Sequence, residues 1–548
     1  MKSLALVSFK DETSLIESLK KVYKVSYFNK QNIKKFVNSN YERILYVVYN
    51  DMESKFIIKL LKIKKGIVIL NDFYLNNLYS KHEEIYYQHG FNHLVTYNKG
   101  ILPPLNSEVI NNALAIFFKN EKFYTLLKQY YYLLDEDKIY FLDDIIDPIE
   151  KIYENKNEEK KIDISKLYSS NKSFYQRQIL VDISLFKDTK LHTGIQRVVR
   201  QQLINLLELS DFNYRIEPVY LDKIDNEYFY FYAREFMCKF LNLNSCKLKD
   251  EVVDLNKDDI FYGLDLVAEH IEIAKSEGLF ELFKRQGVKI IFLVYDLISI
   301  KYPHFFPEID SKKYRLWIDN IDKVSNALLT ISNSVKNDLE KYITNIPITT
   351  IHLGADIEKN RIFSKRKFKT PTFLMVSTIE PRKGHEDILN AFEILWKRGI
   401  KVNLVFIGRE GWMVERLINR IYKNKFFKKY LFYLKNVDDK TLINYYQSST
   451  AFIMASYDEG FGLPIIEAAR YNLPIIARDI PVFRELASKN AYYFPNTNNK
   501  TKIANSILKW LQLYKRYNYP KSRNIKYLSW KDNVLALLEY FKSKEEIK

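Results

Sequence analysis

Residues 451–479 read AFIMASYDEGFGLPIIEAARYNLPIIARD. AFIMAS is a short apolar run suited to a buried strand, YDEGFGLP a loop with two glycines, and IIEAARY the first turns of a helix. LPIIARD is again an apolar strand, so the stretch has the form of one βαβ unit of a parallel sheet. Gly460 and Gly462 allow a sharp turn and a close approach to a ligand, and Pro464 suits a first helical turn. Glu459 then falls in the loop at the strand's carboxyl end, and Glu467, with seven residues between, about one turn into the helix. By residue type alone, Glu459 fits a solvated loop and Glu467 a carboxylate serving the helix dipole, as well as either fits a ligand. An acid/base pair would need both carboxyls to flank one bond, which a loop position and a helix position do not provide by themselves.

The same alternation runs outward. TFLMVSTIEPRKGHEDILNAFEIL and NLVFIGREGW precede the stretch, and AYYFP follows it. QILVDISLF, KIIFLVYDLISI, ALLTISNSVKNDLEKY and ITTIHLGAD form an earlier block with polar or small residues where strands meet loops. A charged polar stretch around 150–178 and a milder one at 357–371 interrupt the pattern. The predicted organisation is an N-terminal α/β domain at 1–150, a linker at 151–177, Rossmann-like lobes at 178–356 and 357–525, and a helical tail at 526–548 with Ser529 as its cap. Two such lobes are expected to face a cleft, with ligands outside the carboxyl ends of the strands.

In STIEPRKGHEDILNAF a strand ends near Ser377 and a helix begins near Gly384 or His385. Arg382 and Lys383 therefore stand just ahead of a helix N-terminus, where unpaired N–H groups and the helix dipole favour an anion such as a diphosphate. A solvated basic turn has the same composition. His385 reads as a packing or capping residue.

The bulk numbers limit the alternatives. Of 548 residues, 47% are hydrophobic and 28% charged, which suits a folded globular chain. Lys and Arg outnumber Asp and Glu by 85 to 67, giving +18, and favour a polyanion: nucleic acid, anionic lipid or a phosphorylated small molecule. Cys238 and Cys246 are the only cysteines, so no disulfide framework or Cys-based zinc site is expected and a reducing cytosol suits the chain. The opening MKSLALVSFKDETSL is too soon charged for a signal peptide, and no apolar run approaches the roughly 18 residues of a membrane span. The eight histidines are scattered, and His82 and His89 lack the four-residue spacing of a zinc-protease helix, so no metal is expected. Arg416 to Lys435 interleaves basic and aromatic residues, which fits a solvated helix leading into a strand or a surface lying on anionic lipid. No recognition motif for nucleic acid accompanies it.

EGFGLPIIEA resembles the E-x7-E motif of glycosyltransferase family 4, and STIEPRKGHEDILNAF and LVFIGREGW are similar to that family's preceding segments, in order. VDISLF, TGIQRVVR, VYDLISIKYPHFFPE, LTISNSVKNDL and IHLGAD resemble the acceptor-side lobe of bacterial O-antigen and surface-polysaccharide mannosyltransferase-like members, so the resemblance covers about 178–542. It implies the GT-B fold of two Rossmann-like lobes facing a cleft, here with an additional N-terminal α/β domain. It also implies transfer of a hexose, mannose from GDP-mannose as the leading expectation, from a GDP- or UDP-linked nucleotide sugar to a glycan or lipid-linked acceptor. Retention at the anomeric carbon, no obligatory metal and no cofactor come with it.

Position by position, the resemblance gives Arg382 and Lys383 the donor diphosphate, Glu459 the donor-sugar hydroxyls, and Glu467 the ribose. Phe461, Gly462 and Leu463 would lie near sugar and phosphate, and Thr193 and Gly194 would take the glycine-loop position. Arg382, Lys383 and Glu459 are thus the expected catalytic set. Asp296 matches the family's His–Asp pair, with Tyr295 where many members carry His. VYND, GIVILNDFYLNNL and LPPLNSEVINNALAIFF weakly resemble an acceptor-side lobe, with Asn71 before Asp72 and no phosphate-binding segment. That first block is expected to serve docking, oligomerisation or acceptor guidance. The expected location is cytoplasmic, with peripheral contact at the inner face of the cytoplasmic membrane. A noncatalytic GT-B scaffold in a glycan-assembly complex and a GT-B sugar-nucleotide epimerase are the alternatives.

Overall fold

The computed structural model describes residues 1–101, 103–131, 136–142, 145–155, 176–189, 194–209, 214–243, 246–355 and 367–543. The chain divides into two compact units. The first comprises Met1–Leu191, Leu203–Asp265 and Ser276–Ile290; the second comprises His192–Gln202, Leu266–Lys275 and Ile291–Lys548.

The first unit begins with six parallel strands in the spatial order Lys24–Phe28, Ser3–Val7, Arg43–Val48, Ile67–Leu70, Ile116–Phe118 and Ile139–Phe141. Ile67–Leu70 is buried along its whole length, as helices on both faces of a parallel sheet require. Helix Ile146–Asn155 extends into the stretch read as a linker, whose residues 156–175 lie outside the described residues. Strands Ile260–Gly263, Arg177–Asp182 and Tyr214–Ile224 follow as parallel neighbours, and Glu227–Tyr232 pairs antiparallel with Tyr214–Ile224. The hairpin turns at Asp225 and Asn226, with φ of 49° and 71°. That two-residue turn matches the right-handed twist of the strands.

Helix His82–Asn98 is broken at Gly90 (φ 80°) and lies against Tyr214–Ile224. Tyr86 donates to Glu217 Oε2 (2.9 Å) and accepts from Arg234 Nε (2.8 Å), while Arg215 Nη2 donates to Glu217 Oε1 (2.9 Å). His89 is buried and accepts from the Leu105 N–H through Nε2 (3.2 Å). Burial, then neighbouring His93, holds its pKa well below the usual range, so it packs as a neutral ring.

In the second unit, Ile291 to Val294 of strand Lys289–Val294 pair with Ala327–Thr330, which pairs with Ile348–Thr350. A six-stranded parallel sheet follows in the order Leu431–Leu434, Asn403–Ile407, Thr372–Val376, Ala451–Met454, Ile475–Arg478 and Tyr492–Phe494. Phe373 and Met375 pack into one core and Leu374 into the other, the two-residue period of a strand covered on both faces. The first strand in sequence, Thr372–Val376, has the second beside it on one side and the fourth on the other. This is the doubly wound order, and its reversal opens a crevice at the carboxyl ends of Thr372–Val376 and Ala451–Met454. The final helix, Trp530–Ser543, is capped by Ser529, whose Oγ accepts from the Asp532 N–H (3.0 Å).

Candidate functional site

The two loops leaving that reversal point carry the predicted residues. After Thr372–Val376 comes a 3-10 turn, Pro381–Lys383, then Gly384 in the left-handed region (φ 71°) and helix His385–Lys397. A Cβ on Gly384 would stand 2.4 Å from the Ala455 carbonyl oxygen, so the two loops approach as closely as they do only because glycine is there. The Tyr457 N–H donates to the Arg382 carbonyl (2.9 Å) and ties them together.

Lys383 Nζ lies 2.5 Å from Glu459 Oε1, and Arg382 Nη1 lies 3.4 Å from Glu459 Oε2. Ser456 Oγ donates to Glu459 Oε1 (2.6 Å). Arg382 Nε is also 3.0 Å from Glu380 Oε2, without hydrogen-bond alignment. Burial by itself would raise the Glu459 pKa, but Lys383 and Arg382 outweigh it and bring it down to about 2. Burial would likewise lower the Arg382 pKa, and Glu459, Glu380 and Asp296 raise it instead. Both ends of the cluster are therefore charged at neutral pH.

Arg478, fully buried at the end of Ile475–Arg478, fixes this loop from below. It donates to the Ala455 carbonyl (2.8 Å), Asp387 Oδ2 (2.7 Å) and the Thr497 carbonyl (2.8 Å), and its guanidinium sits 3.9 Å from the Tyr457 ring centroid. Tyr457 also donates to Asp387 Oδ2 (2.6 Å). The sequence signal for it is an Arg closing an otherwise apolar strand. His385 packs edge-on to Phe406 (5.0 Å), and burial, then Lys383, lowers its pKa to about 3. A ring that stays neutral there suits packing.

From the earlier block, Tyr295 is buried, and its carbonyl oxygen would lie 2.0 Å from a Cβ on Gly460. Ser332 Oγ donates to the Gly460 carbonyl (2.6 Å) from the other direction. Asp296 accepts from the Ile298 N–H (3.0 Å). Burial raises its pKa, opposed chiefly by Arg382. Lys301 bridges Asp458 and Asp338, and Glu485 accepts from the Asn333 and Ser334 N–H groups (2.8 and 2.9 Å).

Glu467 belongs to a second cluster. It lies in helix Leu463–Arg470, which follows Gly462 (φ 102°), with Phe461 buried just ahead. Its Oε1 pairs with Arg197 Nη1 and its Oε2 accepts from Tyr446 Oη (2.9 Å). Gly194 begins the helix that carries Arg197, and a Cβ there would meet nothing within 4 Å. Thr193 lies outside the described residues. The structure thus gathers Arg382, Lys383, Glu459, Asp296 and the Tyr295 backbone, and separately Glu467 with Arg197 and Tyr446. Among the described residues no group of three or more His, Cys, Asp or Glu is placed to hold a metal ion.

Residues 356–527 match the family model described as glycosyl transferases group 1. The chain carries a glycosyltransferase group 1 domain. The serotype-specific mannosyltransferase WbdA of Escherichia coli is 33% identical over 385 residues, which is 67% of this chain and 46% of that protein. The O-antigen chain mannosyltransferase RfbU of Salmonella typhimurium is 28% identical over 209 residues, covering 38% of this chain and 57% of the relative. The chain spans less than half the length of WbdA. Among solved structures, sucrose-phosphate synthase from Thermosynechococcus elongatus aligns with a TM-score of 0.50 at 13% identity, covering 68% of this chain and 100% of the other. Over the 68% of the chain that this alignment covers, the fold is GT-B.

Proposed function

We propose that the protein is a retaining glycosyltransferase that moves a hexose, mannose from GDP-mannose as the leading donor, to a lipid-linked or growing surface-polysaccharide acceptor. In this reading 178–356 is the acceptor-side lobe, 357–525 binds the nucleotide sugar, and 1–150 guides acceptor or partners. The observation that carries it is the Arg382–Lys383–Glu459 cluster at the reversal point of a doubly wound sheet.

Breaking the bond between the anomeric carbon and the phosphate oxygen leaves positive charge on the sugar and negative charge on the nucleotide. Arg382 and Lys383 stabilise the growing negative charge, Arg with a planar fork and Lys as a point charge. Glu459, ionised beside both cations, receives the sugar hydroxyls. The acceptor oxygen bonds to the anomeric carbon on the face the phosphate leaves, and its proton passes to the departing phosphate oxygen. Charge balance at the phosphate thus needs neither a metal nor a dedicated protein base. Glu467 takes the ribose, and Phe461, Gly462 and Leu463 line the sugar–phosphate end. Gly194 approaches the donor phosphates or the acceptor, and the Tyr295–Asp296 pair lies on the acceptor or sugar side.

Among the described residues no helix is long and apolar enough to cross a membrane. Peripheral contact with anionic lipid at the inner face of the cytoplasmic membrane is proposed for the segment around helix Glu415–Tyr422. Lys423, Lys425, Lys428 and Lys429 are exposed and form no ion pair among the described residues, and Tyr422 beside them is 47% exposed. Such a mixture of cations and aromatic rings suits a headgroup layer. Co-sedimentation with vesicles containing anionic phospholipid, lost when the four lysines become glutamates, tests this contact.

Screening GDP, UDP and their hexose conjugates for thermal stabilisation, then following nucleotide release with glycan acceptor, tests the reaction. Stabilisation by GDP and acceptor-dependent release from GDP-mannose are expected. Epimerised donor formed without acceptor would overturn the transferase reading, and wild-type transfer by both Lys383→Ala and Glu459→Ala would overturn the assignment of the site to these residues.

A further inference from the structure

We propose that Arg197 is a positioning residue for the nucleoside half of the donor: it holds the Glu467 carboxylate in the orientation that receives the ribose hydroxyls. The inference rests on the glycosyl-transfer reading given above and extends it to a residue 270 positions away from its partner in sequence.

Glu467 is a poorly hydrated carboxylate, its side chain 10% exposed against 34% for Arg197. A carboxylate removed from water needs charge compensation and fixed donors to stay ionised and in place. Among the described residues one donor reaches each oxygen: the Arg197 guanidinium on Oε1 and the Tyr446 hydroxyl on Oε2 (2.9 Å). Tyr446 is itself held flat against Tyr471, with ring centroids 5.5 Å apart and planes within 12°. A carboxylate has about four lone-pair sites, so each oxygen keeps one for a hydroxyl of a vicinal diol. Removing either donor frees the carboxylate to rotate, while the phosphate cations are untouched.

Arg197 has a rigid base. It lies in the first turn of helix Gly194–Glu208, and Gln202, further along the same helix, donates through Nε2 to Asn533 Oδ1 (3.0 Å). Asn533 in turn donates through Nδ2 to the His352 carbonyl (2.8 Å). The pairings separate these residues from the phosphate cluster. Glu459 takes Lys383 and Arg382 as partners, whereas Glu467 takes Arg197 and Tyr446. Arg197 is therefore engaged with the ribose carboxylate, and Arg382 and Lys383 are the cations left to the diphosphate.

The test compares binding of GDP or UDP, whichever binds more tightly, with that of its 2′,3′-dideoxy analogue and of inorganic pyrophosphate, by calorimetry on the full chain. Wild type should prefer the ribonucleotide by roughly tenfold or more, since hydroxyls bonded to a charged group are lost in the analogue. Arg197→Gln and Glu467→Gln should each reduce that preference to about twofold, with pyrophosphate affinity unchanged. Arg197→Lys, which keeps the charge but not the planar fork, should keep part of the preference and serves if Arg197→Gln does not fold. An Arg197→Gln protein that keeps the full ribose preference overturns the proposal. So does one that loses nucleotide, analogue and pyrophosphate equally, because that pattern marks a phosphate ligand. If instead Glu467→Gln keeps the preference, the ribose assignment of Glu467 falls, and the inference with it, while transfer assays still judge Arg382, Lys383 and Glu459.

Discussion

The first and last sheets of this chain are both six-stranded and parallel, yet their loops hold different chemistry. Beyond Ser3–Val7 and Arg43–Val48, Ser8 and Tyr49 donate to Glu12 Oε1 (2.9 and 2.7 Å), and Lys10 sits over the Tyr49 ring (4.3 Å). The Asn50 N–H there donates to Asp72 Oδ2 (2.9 Å). Those contacts close the loops on themselves with a single cation. At the reversal point of the last sheet, two cations stand before a helix start and share one carboxylate, and Gly384 and Gly460 admit the neighbouring backbone. A parallel sheet supplies a crevice. Charge placed before a helix, with glycines where chains touch, turns a crevice into a phosphate site.

The largest effect that would break this contrast is on transfer. Lys383→Ala should lower kcat/KM on the order of a thousandfold, the scale of losing a donor aimed at developing charge, while Lys10→Ala should stay within about twofold. Steady-state transfer assays on folded protein decide it, and equal losses would dissolve the distinction. Next come two buried arginines, one in each unit, Arg478 and Arg215. Replacing either with Met leaves a buried carboxylate without its cation and should cost about 3 kcal/mol in urea unfolding. Only Arg478→Met should also reduce turnover per folded molecule, because Arg478 holds the Ala455–Glu459 loop.

Gly460→Ala drives a methyl into the Tyr295 carbonyl and should lower kcat/KM about tenfold, the scale of an overpacked close contact. A smaller effect at working pH concerns Glu459. Its pKa is lowered from 4.5 to about 2, so the folded state releases that proton more readily than the unfolded chain. The resulting stability is fully present above about pH 4.5 and is lost as pH falls toward 2. Urea midpoints of Glu459→Gln should therefore fall less steeply than those of wild type between those limits, and parallel slopes would show that the carboxylate is not held by its cations.

Much of this is legible in the sequence. Apolar runs of strand length alternating with amphipathic stretches specify parallel sheets, and Glu459 and Glu467 fall on the predicted loop and helix. The antiparallel strand Glu227–Tyr232 is equally local, announced by Asp225 and Asn226 ahead of an aromatic-rich run, and departs from the parallel pattern that the alternation around it predicts. Arg197 and Tyr446 are not legible, and of Arg478 only its place at the end of an apolar strand is. Each is an ordinary residue of a helix or strand, and nothing beside it in sequence reports what it will touch.

By itself, the sequence determined the periods, the turns and which residue types stand at the carboxyl ends of strands, because those depend on neighbours within one or two helical turns. Only the tertiary structure decided that Lys383 meets Glu459 across 76 residues and that Arg197 meets Glu467 across 270. The physical reason is that such pairs are made by the packing of whole elements. Their charges are compensated only once the intervening chain has folded, water has left and the partners have been brought within bonding distance.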